Sequence, residues 1–261
     1  MKSLKGIFKY YTLMLMRKMH YRTYFFLSTT SSFLYYLLTL VFFGFIYTKT
    51  QEIAGFSFLE IICLQGITTL VVSTFTAFFG SGAPKITNAI ITGRIELYMT
   101  KPINWKIFPL IVSSNPYRLL SVLLGIFLIG FSVNQTHIAI EPLRFLLFLL
   151  SIGLSILSVL FFHLLIGSIS MRIRLYSLPW IYWDITEFSS YPYKIVPKPV
   201  FIILTLIPAF GISAFSEGLL MRNWPYSRIL FQALVVLVLY LAQKLMWKYM
   251  GKIYAGSGTV K

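Results

Sequence analysis

Negative charge is scarce in this sequence: seven Asp and Glu stand against 23 Lys and Arg in 261 residues, with one cysteine and three histidines. The single thiol, Cys63, excludes an internal disulfide and a thiolate cluster. His20, His137 and His163 lie far apart, and no acidic residue pairs with one at metal-ligand spacing, so no metal site is expected. No glycine-rich loop ends in Lys-Ser or Lys-Thr, which removes the phosphate cradle that nucleotide hydrolysis needs. Gly80-Ser81-Gly82 follows a long apolar run rather than a strand and suits a flexible helix exit.

What is abundant is apolar surface. Hydrophobic residues make up 57% of the chain and charged residues 11%, and the mean hydropathy is +0.79. So few charges cannot shield that much apolar surface from water, so lipid is the expected solvent. The surplus of +16 falls between apolar stretches, where it meets anionic headgroups, and no nucleic-acid partner is expected. Lys2, Lys5 and Lys9 resemble the start of a signal peptide, but Arg17, Lys18, His20 and Arg22 interrupt the apolar segment such a peptide requires. Leu4, Ile7, Phe8, Tyr11, Met14 and Leu15 instead share one helical face opposite those lysines. That pattern predicts an amphipathic interfacial helix over residues 1–22, with a short basic tail as the alternative.

A membrane-crossing helix needs about 20 apolar residues. Candidate spans run from Tyr24 to Tyr47, Phe56 to Phe79, Tyr117 to Ser132, Pro142 to Ile169 and Ile229 to Met246. Beyond Met171 two apolar blocks compete, Leu175 to Tyr191 and Val200 to Leu220. With the N-terminus inside and six spans, inner segments hold 17 of the 23 basic residues and outer segments six. A seventh span would weaken that bias, so one block is not expected to cross. The expectation is that Ile173 to Ser190 is the fifth span. Pro208, Gly211 and Glu217 then make 192–222 an extracellular re-entrant hairpin, with Val200 to Leu220 as the spanning alternative. The fold class is an all-α membrane protein, one domain over 1–261, with both termini cytoplasmic.

Polar residues within spans are costly and therefore candidates for function. Asp184 and Glu187 lie one turn apart near Trp180, Tyr182 and Trp183. They either face a central pathway or form a watered pair at the outer interface. Glu60 opens the second span and reads as interfacial, whereas His163 is either a hydrogen-bonded structural histidine or a proton relay. The segment Gly80–Lys106 contains a helical face of Ile86, Ala89, Ile90 and Gly93, with Gly93 able to end the helix. Such a helix fits a groove on a cytosolic partner; the plainer alternative is a basic loop on headgroups.

Three stretches resemble the permease subunits of ABC-2 type exporters, in particular the bacterial six-span permeases of this length. They are Ile91-Thr92-Gly93-Arg94-Ile95-Glu96-Leu97 with Thr100-Lys101-Pro102-Ile103, then Tyr191-Pro192 to Pro197 with Leu206-Ile207-Pro208-Ala209-Phe210, and finally Met246-Trp247-Lys248 through Tyr254-Ala255-Gly256-Ser257-Gly258. The fifth span departs from the family by being unusually polar, with Arg172, Arg174, Asp184 and Glu187.

The resemblance implies that Ile86 to Leu97 contains a coupling helix gripping a separate ATPase subunit, with Ile86, Ile90, Gly93, Arg94, Glu96, Leu97 and Pro102 as coupling residues. It also implies two ATPase copies and a second permease chain, expected to be similar but different, in a bacterial inner membrane. The chain would need no cofactor of its own, because ATP is bound by the partner. Asp184, Glu187 and His163 are the candidates for the translocation path. A secondary transporter using Asp184 or Glu187 as a proton site is the rival reading. An intramembrane enzyme finds no nucleophile–base or metal constellation to support it.

Overall fold

The computed structural model describes residues 11–13, 16, 22–101, 104–138, 140–173 and 178–256. Most of the expected interfacial helix, together with Pro102, Arg174 and the Ser257–Gly258 end of the tail, lies outside them. Among the described residues there is no strand, only an isolated bridge between Ile53 and Phe56. The helices in chain order are α1 (Arg22–Tyr47), α2 (Phe58–Phe79), α3 (Ala83–Ile91), α4 (Ile95–Met99), α5 (Phe108–Val112), α6 (Leu119–Thr136), α7 (Pro142–Ile173), α8 (Leu178–Thr186), α9 (Lys198–Leu206), α10 (Ala214–Leu220) and α11 (Arg228–Gly256).

Four of these runs are long and apolar enough to cross a membrane: Phe58–Ile91, Pro116–Thr136, Pro142–Ser170 and Arg228–Tyr249. The helices Lys198–Leu206 and Phe210–Leu220 form a pair bent by 74°, which makes a fifth if counted as one span. Within α1 the described apolar stretch is Phe33–Tyr47. The expected fifth span differs most. Its described part is the nine-residue α8, followed by a 3-10 turn at Glu187–Ser190. Nine helical residues reach about 14 Å, half of the hydrocarbon core. The residues before it, 174–177, lie outside those described.

Helix α2 is the axis of the bundle. In its most apolar window 72% of residues are buried within the chain, against 28–33% for the other three long helices. Ser57 starts it with a capping box: Glu60 N–H donates to Ser57 Oγ, and Ser57 N–H donates to Glu60 Oε2 at 2.7 Å. Gly80 ends it at φ +63°, where a Cβ would lie 1.9 Å from the Ser113 carbonyl oxygen. Only glycine fits there. The approach of α2 to α6 is equally close, since a Cβ on Gly66 would meet the Gly125 carbonyl at 3.0 Å and one on Gly125 would meet that of Gly66 at 2.8 Å. Small residues facing each other let two backbones meet in lipid, where no hydrophobic force draws helices together. Ser132 Oγ pins the same pair by donating to the Leu59 carbonyl at 2.6 Å.

Helices α7 and α11 are joined by polar side chains instead. Ser151 Oγ donates to Gln232 Oε1 at 2.7 Å, and Gln232 Nε2 donates to the Ser151 carbonyl and to Ser155 Oγ, both at 3.0 Å. Ser151 also meets Ser216 of α10 at 2.9 Å. Trp247 Nε1 donates to the Leu164 carbonyl at 2.9 Å near the other end. Leu123, Ile126 and Phe127 on α6, like Leu146, Leu149 and Leu150 on α7, remain exposed on the outside of the bundle. A face of that kind is solvated by lipid chains.

Candidate functional site

The segment after α2 turns its apolar face inward. Ile86, Ala89 and Ile90 are buried with Ile95, Leu110, Leu164 and Trp247. Ile86 fits against Gly167 of α7, where a Cβ would come within 2.9 Å of it. Thr87 Oγ1 donates to Ser170 Oγ at 2.7 Å. The helical face expected to receive a partner is therefore already covered by the chain's own α7 and α11. Ile86 and Ile90 are anchors. The exposed part is the tip that follows: Thr92, Gly93 and Arg94, then Glu96, Leu97, Met99 and Thr100. Gly93 takes φ +71° with open space around it and ends α3 as the spacing predicted. Leu97, at 63% exposure, is its most exposed apolar residue. Sequence periodicity could find a face, but not which element covers it.

Three elements meet where α3 begins. The Ala83 amide donates to His163 Nδ1 of α7 at 3.1 Å. His163 stacks on Phe75 at 4.7 Å between ring centres and lies edge-on to Tyr182 at 4.8 Å. Trp183 of α8 packs on the same imidazole at 4.9 Å and donates Nε1–H to the Ser81 carbonyl at 3.3 Å. His163 is fully buried, and its Nδ1 accepts, so any ring proton is on Nε2.

Beside this joint is a cavity of about 600 Å³. Ser31, Tyr35 and Tyr36 of α1 form one wall, and Gln65, Thr68 and Thr76 of α2 form another. Trp180, Trp183, Asp184 and Glu187 close a third side, while Asn115 and Arg118 stand at the start of α6. Asp184 and Glu187 both line this cavity, and His163 is not among its lining residues. Arg118 is the residue that sequence reasoning missed: it counted only as one of the inner positive charges. Gln65 and Thr68 were likewise hidden inside an apolar run. No group of three metal-binding side chains occurs among the described residues.

At the opposite end of α2 is a partly buried ionic cluster. Arg222 Nη2 lies 2.9 Å from Glu60 Oε1 and 2.5 Å from the Gly55 carbonyl, and its Nε lies 3.2 Å from Glu217 Oε1. The guanidinium also covers the Phe56 ring at 3.6 Å. Glu60, expected to be interfacial, is thus part of a clamp that ties the bent pair to the start of α2. Elsewhere Lys106 lies over the Trp105 and Trp247 rings at 5.8 and 5.3 Å, and burial there lowers its ammonium below the usual lysine range.

No curated protein and no solved structure matches this chain. A family model described as "ABC-2 family transporter protein" matches residues 33–258, a stretch that takes in the long helices, the α3–α4 segment and the bent pair. With most of its 261 residues inside that match, this membrane protein belongs to the ABC-2 transporter family as a permease component.

Proposed function

We propose that this chain forms half of the translocation path of an ATP-driven exporter and takes its work from a separate ATPase through the exposed tip at Thr92–Thr100. The observation that carries the reading is the division of labour along this segment. Ile86 and Ile90 fasten α3 to the bundle, while Arg94, Glu96 and Leu97 are held out beyond it. A force on the tip acts on α3 as on a lever. The base of that lever is bonded to His163 and, through Ser81, to Trp183, which is a cavity wall. ATP-bound and nucleotide-free motors then favour different cavity shapes, provided that the tip binds the two motor states with different affinity.

In this reading the chain has six spans, with α1 the first and the region around α8 the fifth. The bent pair is a re-entrant hairpin from the outer side, closed by Arg222. Both termini and the tip are cytoplasmic, in agreement with the distribution of Lys and Arg. Two ATPase copies and a second, similar permease complete the exporter in a bacterial inner membrane, and ATP is bound by the motor alone. The test is co-isolation of the permease with a Walker-containing subunit whose hydrolysis it stimulates. Gly93→Pro combined with Arg94→Ala is expected to abolish that stimulation in correctly inserted protein; unchanged stimulation would refute the role of the tip.

One observation favours a second reading: Asp184 and Glu187 line the same cavity. A proton-coupled transporter would use them as its proton site and would need no motor. Transport by the purified chain, driven by a proton gradient without ATP, would establish it.

A further inference from the structure

The cavity contains more unpaired polarity than its own walls can use. Gln65 is 1% exposed and Thr68 6%, yet neither Gln65 Oε1 nor Thr68 Oγ1 has a hydrogen-bond partner. Asn115 Oδ1 and Arg118 Nε are buried and unpartnered as well. A buried polar atom left unpaired costs about 1–3 kcal/mol, so four around one cavity point to a polar ligand within it.

The charges decide its class. Arg118 has no carboxylate within 4 Å among the described residues, so the cavity's one cation is separate from its two acids. The acids stand among aromatic rings: Trp180 and Trp183 both precede Asp184 within one helical turn, and Tyr35 and Tyr36 line the same cavity. Carboxylates combined with indole and phenol rings suit a cationic nitrogen, including one with no N–H to donate. The unpaired Nε–H of Arg118 suits an anionic oxygen group, whereas the acceptor oxygens of Gln65 and Asn115 suit the cationic end. We infer that the cavity binds the head of a zwitterionic amphiphile, its cationic nitrogen toward Asp184 and Glu187 and its anionic oxygens toward Arg118. The volume, about 600 Å³, leaves room for a head and part of a chain. This rests on the reading of the cavity as the transport site, so binding is measured without the motor, where loss of coupling has no effect.

The test uses the full chain in vesicles of digalactosyl diacylglycerol, an uncharged bilayer lipid, with Thr76→Cys as the reporter. Cys63 is fully buried and contributes little background. Protection of the new thiol from a maleimide is titrated with dodecylphosphocholine, dodecyltrimethylammonium and dodecyl phosphate. The zwitterion should protect at a concentration about tenfold lower than either singly charged probe. Asp184→Asn with Glu187→Gln should erase its advantage over dodecyl phosphate. Arg118→Gln should erase its advantage over dodecyltrimethylammonium, and Arg118→Lys should retain it. Protection by glycerophosphocholine alone assigns the site to a soluble zwitterion, and protection only by the chain-bearing probe assigns it to a lipid; both support the head-group chemistry. Equal protection by all three amphiphiles, protection by none, or variants that leave the preference intact would overturn it. Loss of ATPase stimulation with charge-selective protection intact would instead count against the coupling role of the tip.

Discussion

The Ala83 amide donates to His163 Nδ1 across 3.1 Å, so a side chain from the middle of α7 caps the first turn of α3. The bond joins residues 80 positions apart and places the base of the lever on the helix that also packs against α11. His163→Phe preserves stacking on Phe75 but removes the acceptor. Stability should fall by about 1–3 kcal/mol, the cost of an unsatisfied buried amide. Hydrogen exchange should quicken at Ala83 while the centre of α2 stays protected. Unchanged exchange at Ala83 would refute the cap.

The anchors and the tip should separate experimentally. Ile90→Asp buries a carboxylate among Ile86, Leu110 and Trp247 and should lower the unfolding temperature or prevent insertion. Leu97→Asp alters only an exposed residue, so stability should stay within about 0.5 kcal/mol. Its effect should appear as lost stimulation of the motor, read by ATPase assay on the reconstituted complex. Equal loss of stability in both variants would contradict the division between anchor and tip.

Arg222 joins Glu60 to Glu217, the latter fully buried. Arg222→Leu leaves two acids facing each other and should cost about 3–5 kcal/mol, as for other buried pairs that lose one partner. Glu60→Gln and Glu217→Gln added to it should recover much of the loss. A triple variant no more stable than Arg222→Leu, by thermal unfolding in detergent, would remove the clamp from the explanation.

Gly66 and Gly125 set the distance between α2 and α6. Alanine at either one places a methyl 2.8–3.0 Å from the facing backbone or Ile129. Each should destabilise by about 1–3 kcal/mol through overpacking. The double variant should be less destabilised than the sum, because separating the helices relieves both clashes. Strict additivity in thermal unfolding would show that the two residues do not share one contact.

Hydropathy made the long helices legible, and the glycines at 80 and 82 made legible the break after α2. Periodicity also located α3 and its stop at Gly93. It failed on orientation, because Ile86, Ala89 and Ile90 form the same pattern whether a partner or α7 covers them. The extent of the expected fifth span was not legible for a related reason. Apolar composition around Trp180 to Trp183 is equally suited to a crossing helix and to a short one lying against α2 and α7. Arg222 and Arg118 were read only as units of charge bias. Their roles come from contacts across 162 positions to Glu60 and from a cavity assembled by four separate stretches, neither of which leaves a local signature.

The most direct measurement places a photoreactive amino acid at Leu97, on the tip, and at Leu123, on the outer face of α6, in cells containing the complete transporter. The expected result is an adduct between Leu97 and a nucleotide-binding subunit, and lipid or permease adducts alone at Leu123. An adduct to the motor from Leu123 but none from Leu97, or labelling of the tip by an impermeant reagent from outside the cell, would contradict the coupling role of Thr92–Thr100.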